Sequence, residues 1–446
     1  MDAGMQTRSP TIGEATCETV GDTVGETIGE TVGDTVGETI GENGESEQSC
    51  LGPLSTPAGD NRLPAELPQA VVMDCGLDQH LHHAKNTTIK VALFDLDWTL
   101  IAPKKRAPKS KKKLEGKRPK FPSGWEDWDI LFPEAKQKLQ ELWAQGYIIG
   151  VVTNQTGKKY DPERFHDKLV AISKELEVPF AAMVATKKDG VTFKPAPLLV
   201  QSFLGKLLTL QIKPQLAFMV GDAAGREGDF ACSDRQLAVN LKIPFYTPEE
   251  FFCGEAPKPF VTGPNYAAYV EQQKARWADG ALARSAPKSV SHVEMVILVG
   301  MPAAGKSTLA GDGQFDGYDY VSRDVLKTKN KCLKAAALSM SKGRSVIIDN
   351  TNPTAKGRAE FVELARHWEH PVRCIHITTP RVICEHLNKV RVIEGKRKVP
   401  DVVYHVYAKY FEQPELEREH FTTVEEWTPI LHFEDKRMEE HFKLYL

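Results

Sequence analysis

Gly300-Met301-Pro302-Ala303-Ala304-Gly305-Lys306-Ser307-Thr308 decides the fold of the second half of this chain. The stretch fits G-x-x-x-x-G-K-[ST] without a departure, directly after the apolar run Met295–Val299 and before a plausible helix. Strand, glycine loop and helix form the setting in which backbone N–H groups wrap a β-phosphate. Lys306 then bridges β- and γ-phosphates, and Ser307 reaches a magnesium ion. A glycine turn that merely starts a helix is the bland alternative, and the full match from Gly300 to Thr308 argues against it.

Reading outward on the C-terminal side, the runs Glu294–Gly300, Asp319–Ser322, Ser345–Asp349 and Arg373–Thr378 have strand character and are separated by helical periodicity. Asp324 follows the second run, where an acceptor hydroxyl could approach, and Asp349 supplies another acid near the nucleotide. The helix Arg381–Glu394 leads into a basic segment holding Lys389, Arg391, Lys396, Arg397 and Lys398. Such a segment can close over ATP, with Arg391 matching the developing charge of the triphosphate. Loop, acceptor acid and basic lid together read as a small kinase with ATP as donor.

On the N-terminal side the candidate strands are Ile89–Leu96, Tyr147–Asn154, Phe180–Thr186 and Gln215–Asp222. Helices are expected over Pro133–Gly146, around Phe165, Leu169, Ile172 and Leu176, and over Ala196–Thr209. Continuously apolar strands alternating with helices predict a parallel sheet covered on both faces. The first strand ends in Asp95-Leu96-Asp97, at the rim where open parallel sheets bind ligands. Two acids buried there need a proton or a cation, and Mg²⁺ takes carboxylates together with phosphate oxygens. Asp-x-Asp alone is a weak signal. It is strengthened by Thr153 and Asn154 at the end of the second strand, by Lys194 before a helix, and by Asp222 after a later strand, with Asp229 and Asp234 beyond.

Acid pair, hydroxyl, lysine and second acid in this order resemble the haloacid dehalogenase superfamily of phosphatases over about residues 89–252. The resemblance implies that Asp95 is the nucleophile and Asp97 the general acid, later the base for water. Mg²⁺ would sit on Asp95, the Asp97 backbone carbonyl and Asp222, while Thr153, Asn154 and Lys194 hold the phosphate. Trp98 stands where that superfamily usually has glycine.

Longer words narrow the resemblance: Val220-Gly221-Asp222-Ala223-Ala224-Gly225-Arg226, Cys232-Ser233-Asp234-Arg235, Thr247–Phe252 and Ile348–Pro353. Together they are similar to the eukaryotic polynucleotide kinase 3′-phosphatases over about residues 88–446. That likeness implies removal of 3′-phosphates and ATP-dependent phosphorylation of 5′-hydroxyls on broken DNA, with Mg²⁺ at both sites. It implies Asp324 as acceptor base, with Lys306, Ser307 and Arg391 handling ATP and Mg²⁺. Two readings compete with it: an RNA-end healing enzyme and a bifunctional small-molecule phosphatase/kinase. Steep loss of activity with salt would favour a nucleic-acid substrate.

The whole is expected to be α/β, with two doubly wound parallel-sheet domains, haloacid dehalogenase-like and P-loop kinase, after a disordered N-terminal tail. The boundaries are an acidic repeat tail over 1–86, the phosphatase over 87–256, a linker over 257–291 and the kinase over 292–446. From Val20 to Glu42 the chain repeats Val/Ile, Gly, Asp/Glu, Thr, a glycine-rich composition that cannot bury a core. Animal members of the family carry a forkhead-associated domain there, which such a tail cannot build, so phosphopeptide scaffold binding is not expected.

The 446 residues hold 57 basic and 60 acidic side chains, a net charge of −3. Residues 1–50 alone carry −10, which leaves a mildly basic body suited to a polyanion. Absence of an 18-residue apolar run speaks against a membrane span. The 8 cysteines show no metal-ligand spacing and read as reduced thiols. A monomer in the nucleus is expected, with mitochondria and cytoplasm left open. The stretch Lys104–Lys120 holds ten Lys/Arg and one acid, Glu115. A DNA-backbone clamp and an import signal are its two functional readings, a solvated loop the bland one.

Overall fold

The computed structural model describes residues 70–81, 84–104, 125–156, 160–186, 191–280, 286–311 and 313–446. The acidic repeat and most of the basic stretch lie outside the described residues.

The first sheet has six strands. β1 (Ala70–Cys75), β2 (Thr88–Phe94), β5 (Ile148–Asn154), β6 (Phe180–Ala185), β7 (Lys213–Val220) and β8 (Phe245–Tyr246) lie in the order β1-β6-β5-β2-β7-β8. All neighbours are parallel except β1, which runs antiparallel to β6. β6 is buried along its whole length and β5 nearly so, the pattern of strands covered on both faces. One face is covered by helices α2 (Glu134–Ala144) and α3 (Pro162–Leu176), through Leu139, Phe165, Leu169 and Ile172. The other face is covered by α4 (Leu198–Thr209), through Leu199, Val200, Phe203 and Leu207. Between β2 and β5, β3 (Ile101–Ala102) and β4 (Asp129–Ile130) pair as a short antiparallel ribbon. The chain runs from β2 to one side for β5 and β6, then crosses to the other for β7 and β8. The carboxyl end of β2 is thus a topological switch point, and Asp95 follows it.

This domain begins earlier than residue 87. Ala70–Cys75 registers against Phe180–Ala185, and Leu77 and Leu81 are buried in the core under α4. A polar, proline-bearing neighbourhood hides this strand from periodicity, because its burial comes from a partner far along the chain.

The second sheet, order β10-β11-β9-β12-β13, is wholly parallel: β9 (Met295–Val299), β10 (Asp319–Ser322), β11 (Val346–Asp349), β12 (Val372–Ile377) and β13 (Thr423–Trp427). β9 is central and fully buried, and the switch point falls at its end, where the glycine loop starts. Among the described residues no helix is long and apolar enough to cross a membrane.

The span expected as a linker over 257–291 contains a packed helix, α7 (Tyr266–Ala278). Its Tyr266 and Val270 share a buried cluster with Ala196 of the first domain and with Ile383, Val390, Phe442 and Tyr445 of the second. Asn240 adds polar contacts across this junction: its Nδ2 donates to the carbonyls of Pro195 (2.8 Å) and Tyr445 (2.7 Å), and its Oδ1 accepts from the Tyr445 N–H at 2.9 Å.

Candidate active sites

At the end of β2 the Asp95 N–H donates to the Val220 carbonyl at 2.9 Å, which pins the first acid beside β7. Asp95 is 5% exposed. Lys194 donates to its Oδ1 and also pairs with Asp234 Oδ1 at 2.7 Å, while Thr99 Oγ1 donates to Asp95 Oδ2 at 3.3 Å. Asp222, two residues past β7, completes a group: single oxygens of Asp95, Asp222 and Asp234 lie within 4.8 Å of one another. Burial, and then the charges of Asp95 and Asp234, push the Asp222 carboxyl up to about 9. Burial likewise raises Asp95, against the opposing pull of Lys194. Burial disfavours the Lys194 charge too, yet Asp234 and Asp95 hold its pKa above the ordinary lysine value. One lysine cannot balance three clustered acids, two of them buried, so the cluster needs a proton or a cation, and a hard oxygen-ligated divalent cation fits that need.

Asp234, which is not in the expected metal set of Asp95, Asp97 and Asp222, stands in the same cluster. Asp97 keeps its carboxylate apart, with Oδ2 accepting from Gln155 Nε2 at 2.8 Å. The same Gln155 amide donates to Thr153 Oγ1 at 2.9 Å, so one side chain fixes both the second acid and the hydroxyl. Asn154, expected among the phosphate ligands, is instead engaged by the Lys194 backbone: its Oδ1 accepts from the Lys194 N–H at 2.9 Å, and its Nδ2 donates to the Lys194 carbonyl at 3.4 Å. It positions the lysine. Asp229 is occupied by the turn, accepting from the N–H groups of Ala224 and Arg226 and from the Arg226 guanidinium. Gly221 allows Asp234 its place, since a Cβ there would lie 2.5 Å from Asp234 Oδ2. Trp98 has φ +63°, the left-handed region glycine favours, so this departure from the superfamily word is carried by an L-residue in a glycine-like backbone. Lys168 on α3 is buried, its pKa lowered by burial while the charges of Asp97 and Asp127 oppose the shift.

In the second domain the loop between β9 and helix α8 (Lys306–Gly311) turns through Gly305 at φ +103°. A Cβ on Gly300 would sit 3.0 Å from the Ile377 carbonyl oxygen, which explains the glycine there. Lys306 Nζ donates to the Gly300 carbonyl at 2.9 Å and to that of Met301. Burial lowers its pKa to about 8, opposed by the charges of Asp349 and Asp324 and assisted by Arg391. These residues thus lie within electrostatic reach of one ammonium group. Ser307 Oγ donates to Asp349 Oδ2 at 2.5 Å, the pairing of loop hydroxyl and strand-end acid that holds magnesium in P-loop enzymes. Thr308 follows, exposed at the start of α8. Asp324 sits in the short helix α9 (Arg323–Leu326), whose N-terminus is capped by Ser322 Oγ accepting from the Asp324 N–H at 3.2 Å. Asn350 Oδ1 accepts from the Arg323 N–H at 2.8 Å and ties that helix to the end of β11. Arg391 lies half-buried in α12 (Arg381–Ile393).

The sequence marks most of these positions, with Asp234 only as a trailing acid, but it does not say what Asp234, Gln155 and Asn350 pair with. Asp234, Gln155 and Asn350 act through residues remote in sequence, which local patterning does not reveal. Tyr320 gave no signal beyond strand character.

Fold and sites together define a two-centre phosphoryl-transfer enzyme, a phosphatase domain followed by a P-loop kinase domain. Family models agree: residues 90–252 match the polynucleotide kinase 3 phosphatase family and residues 316–414 an AAA domain family. The chain belongs to the bifunctional polynucleotide phosphatase/kinase family. It is 35% identical over 370 residues to the bifunctional polynucleotide phosphatase/kinase of Schizosaccharomyces pombe, covering 81% of this chain and 86% of that protein. A protein of Acanthamoeba polyphaga mimivirus, provisionally given the same designation, is 32% identical over 79% of this chain and 87% of its own length. A polynucleotide 3′-phosphatase of Arabidopsis thaliana is 26% identical over 39% of this chain and 25% of its own length.

Proposed function

We propose that this enzyme repairs DNA strand ends in the nucleus, removing 3′-phosphates at the first site and phosphorylating 5′-hydroxyls from ATP at the second. The observation that carries the reading is the presence of two separate phosphoryl-handling centres, Lys194 bridging Asp95 and Asp234, and the Ser307–Asp349 pair beside Lys306 and Asp324.

In the phosphatase reaction an Asp95 oxygen attacks phosphorus, and the bond to the 3′-oxygen breaks. Asp97 gives that oxygen a proton and leaves a nucleoside 3′-hydroxyl. Water, deprotonated by the Asp97 carboxylate, then attacks the aspartyl phosphate, which releases inorganic phosphate and restores Asp95. Lys194 and Thr153 neutralise and orient the phosphoryl oxygens, while Gln155 keeps Asp97 aimed. Asp95, Asp222 and Asp234 would hold Mg²⁺, which when bound offsets the charge of the acids and the phosphate.

In the kinase reaction the loop amides and Lys306 hold the β- and γ-phosphates, and Ser307 with Asp349 would hold a second Mg²⁺. Asp324 takes the proton of the 5′-hydroxyl as that oxygen attacks the γ-phosphorus and ADP departs. Arg391, whose charge is felt at Lys306, offsets the charge that develops on the transferring group.

A nicked duplex carrying a 3′-phosphate and a 5′-hydroxyl tests the reading. With ATP and Mg²⁺ both ends should be converted, omission of ATP should stop only 5′-phosphorylation, and chelation should stop both. A phosphatase unaffected by chelation, or equal turnover on small phosphate esters and on DNA ends, would contradict it.

A further inference from the structure

Tyr320 on β10, an edge strand of the kinase sheet, presents a ring that is 47% exposed. Its hydroxyl is nonetheless anchored inside the site, donating to Asp349 Oδ2 at 2.5 Å, the same oxygen that accepts from Ser307. The ring therefore reaches from solvent to the Ser307–Asp349 pair and is held at its far end. An aromatic side chain fixed in this way loses little further freedom on contact with a ligand, which favours a rigid recognition surface. Ser322, two residues on and on the same strand face as Tyr320, ends β10, and its hydroxyl caps the helix bearing Asp324. Arg323 and Lys327 are exposed beside them, suited to the phosphates of an incoming strand.

We propose that the Tyr320 ring is the stacking platform for the terminal nucleobase of the acceptor strand, the base whose own 5′-hydroxyl is delivered to Asp324. The proposal rests on the kinase reading above and names a specificity element within it. Stacking on one aromatic face is tolerant of base identity, so the platform selects for a base being present and not for its sequence.

The test is steady-state kinase turnover on single-stranded acceptors of one sequence whose 5′-terminal nucleotide is either intact or abasic. With the wild type, the abasic end should raise acceptor KM about tenfold, the loss of one base–aromatic stack. Tyr320→Phe keeps the ring and should keep that intact-to-abasic ratio, whereas Tyr320→Ala should reduce it to below about twofold. Phosphatase turnover on the same chains reports that each variant is folded. A Tyr320→Ala enzyme with the full wild-type ratio overturns the platform, as does a Tyr320→Phe enzyme that loses the ratio along with alanine. No phosphorylation of either acceptor by the wild type would remove the kinase reading itself, and the platform with it.

Discussion

At the first site, one side chain serves two neighbours at once. It is Lys194, whose ammonium group pairs with both Asp95 and Asp234 and leaves Asp222 without a cation of its own. That geometry depends on a missing atom. A Cβ at Gly221 would fall 2.5 Å from Asp234 Oδ2 and 2.6 Å from its Cβ, distances no flexible tip can relieve. Gly221→Ala should therefore displace Asp234 and loosen Lys194, lowering phosphatase kcat about 100-fold with kinase activity retained. Phosphatase turnover within threefold of wild type would mean that Asp234 is not needed where it stands. Asp95, Asp97, Lys194 and Asp222 were legible in the sequence because each follows a strand and has a chemical type scarce at such rims. Asp234 was visible only as a trailing acid. Its role depends on the bend that brings the start of helix α5 (Ser233–Leu241) back under Gly221.

At the level of elements, the strands and helices expected from periodicity are present with ends shifted by a residue or two, while the edge strands Phe245–Tyr246 and Thr423–Trp427 gave no such signal. Ala70–Cys75 gave none either, for it is an edge strand whose pairing is non-local. The loop after β11 shows why kinase geometry was only partly legible. Its Thr351 carbonyl accepts from the Gly300 N–H, Asn352 Nδ2 donates to the Leu298 carbonyl, and Arg358 Nη1 donates to the Asn352 carbonyl at 3.0 Å. Arg358, fully buried on helix α11 (Ala355–His367), is held in turn by Glu419 through contacts of 2.7 and 2.6 Å. Glu419→Ala would leave that guanidinium buried and unpaired, at a cost of about 3–5 kcal/mol. Urea unfolding of the kinase domain should shift accordingly, and kinase activity should fall further than phosphatase activity. A loss below about 1 kcal/mol would show that Arg358 finds water or another acceptor.

Across the whole molecule, the junction between the domains is packed. Tyr266 of α7 stacks on His386 with ring centroids 3.5 Å apart, and the His386 Nε2–H donates to the Phe442 carbonyl at 2.7 Å. Burial lowers the His386 pKa to about 4, with the Lys389 charge a smaller contribution in the same direction. The unfolded histidine titrates near 6.5, so the folded chain binds fewer protons between those values. The stability it contributes is fully present above pH 6.5 and is lost as pH falls toward 4, amounting to about 2 kcal/mol between pH 7 and 5. His386→Gln can still donate to Phe442 but cannot titrate, so its melting temperature should fall less between pH 7 and 5 than that of the wild type. Equal falls would assign the acid sensitivity to other groups. The central claim, that one chain holds two independent centres, is tested most directly by crossing Asp95→Asn with Asp324→Asn on a nicked duplex bearing both ends. Asp95→Asn should lose 3′-phosphatase activity by at least about a thousandfold and still phosphorylate 5′-hydroxyls, and Asp324→Asn should do the reverse. If either substitution silences both reactions in a folded protein, the two centres are not independent and the account fails.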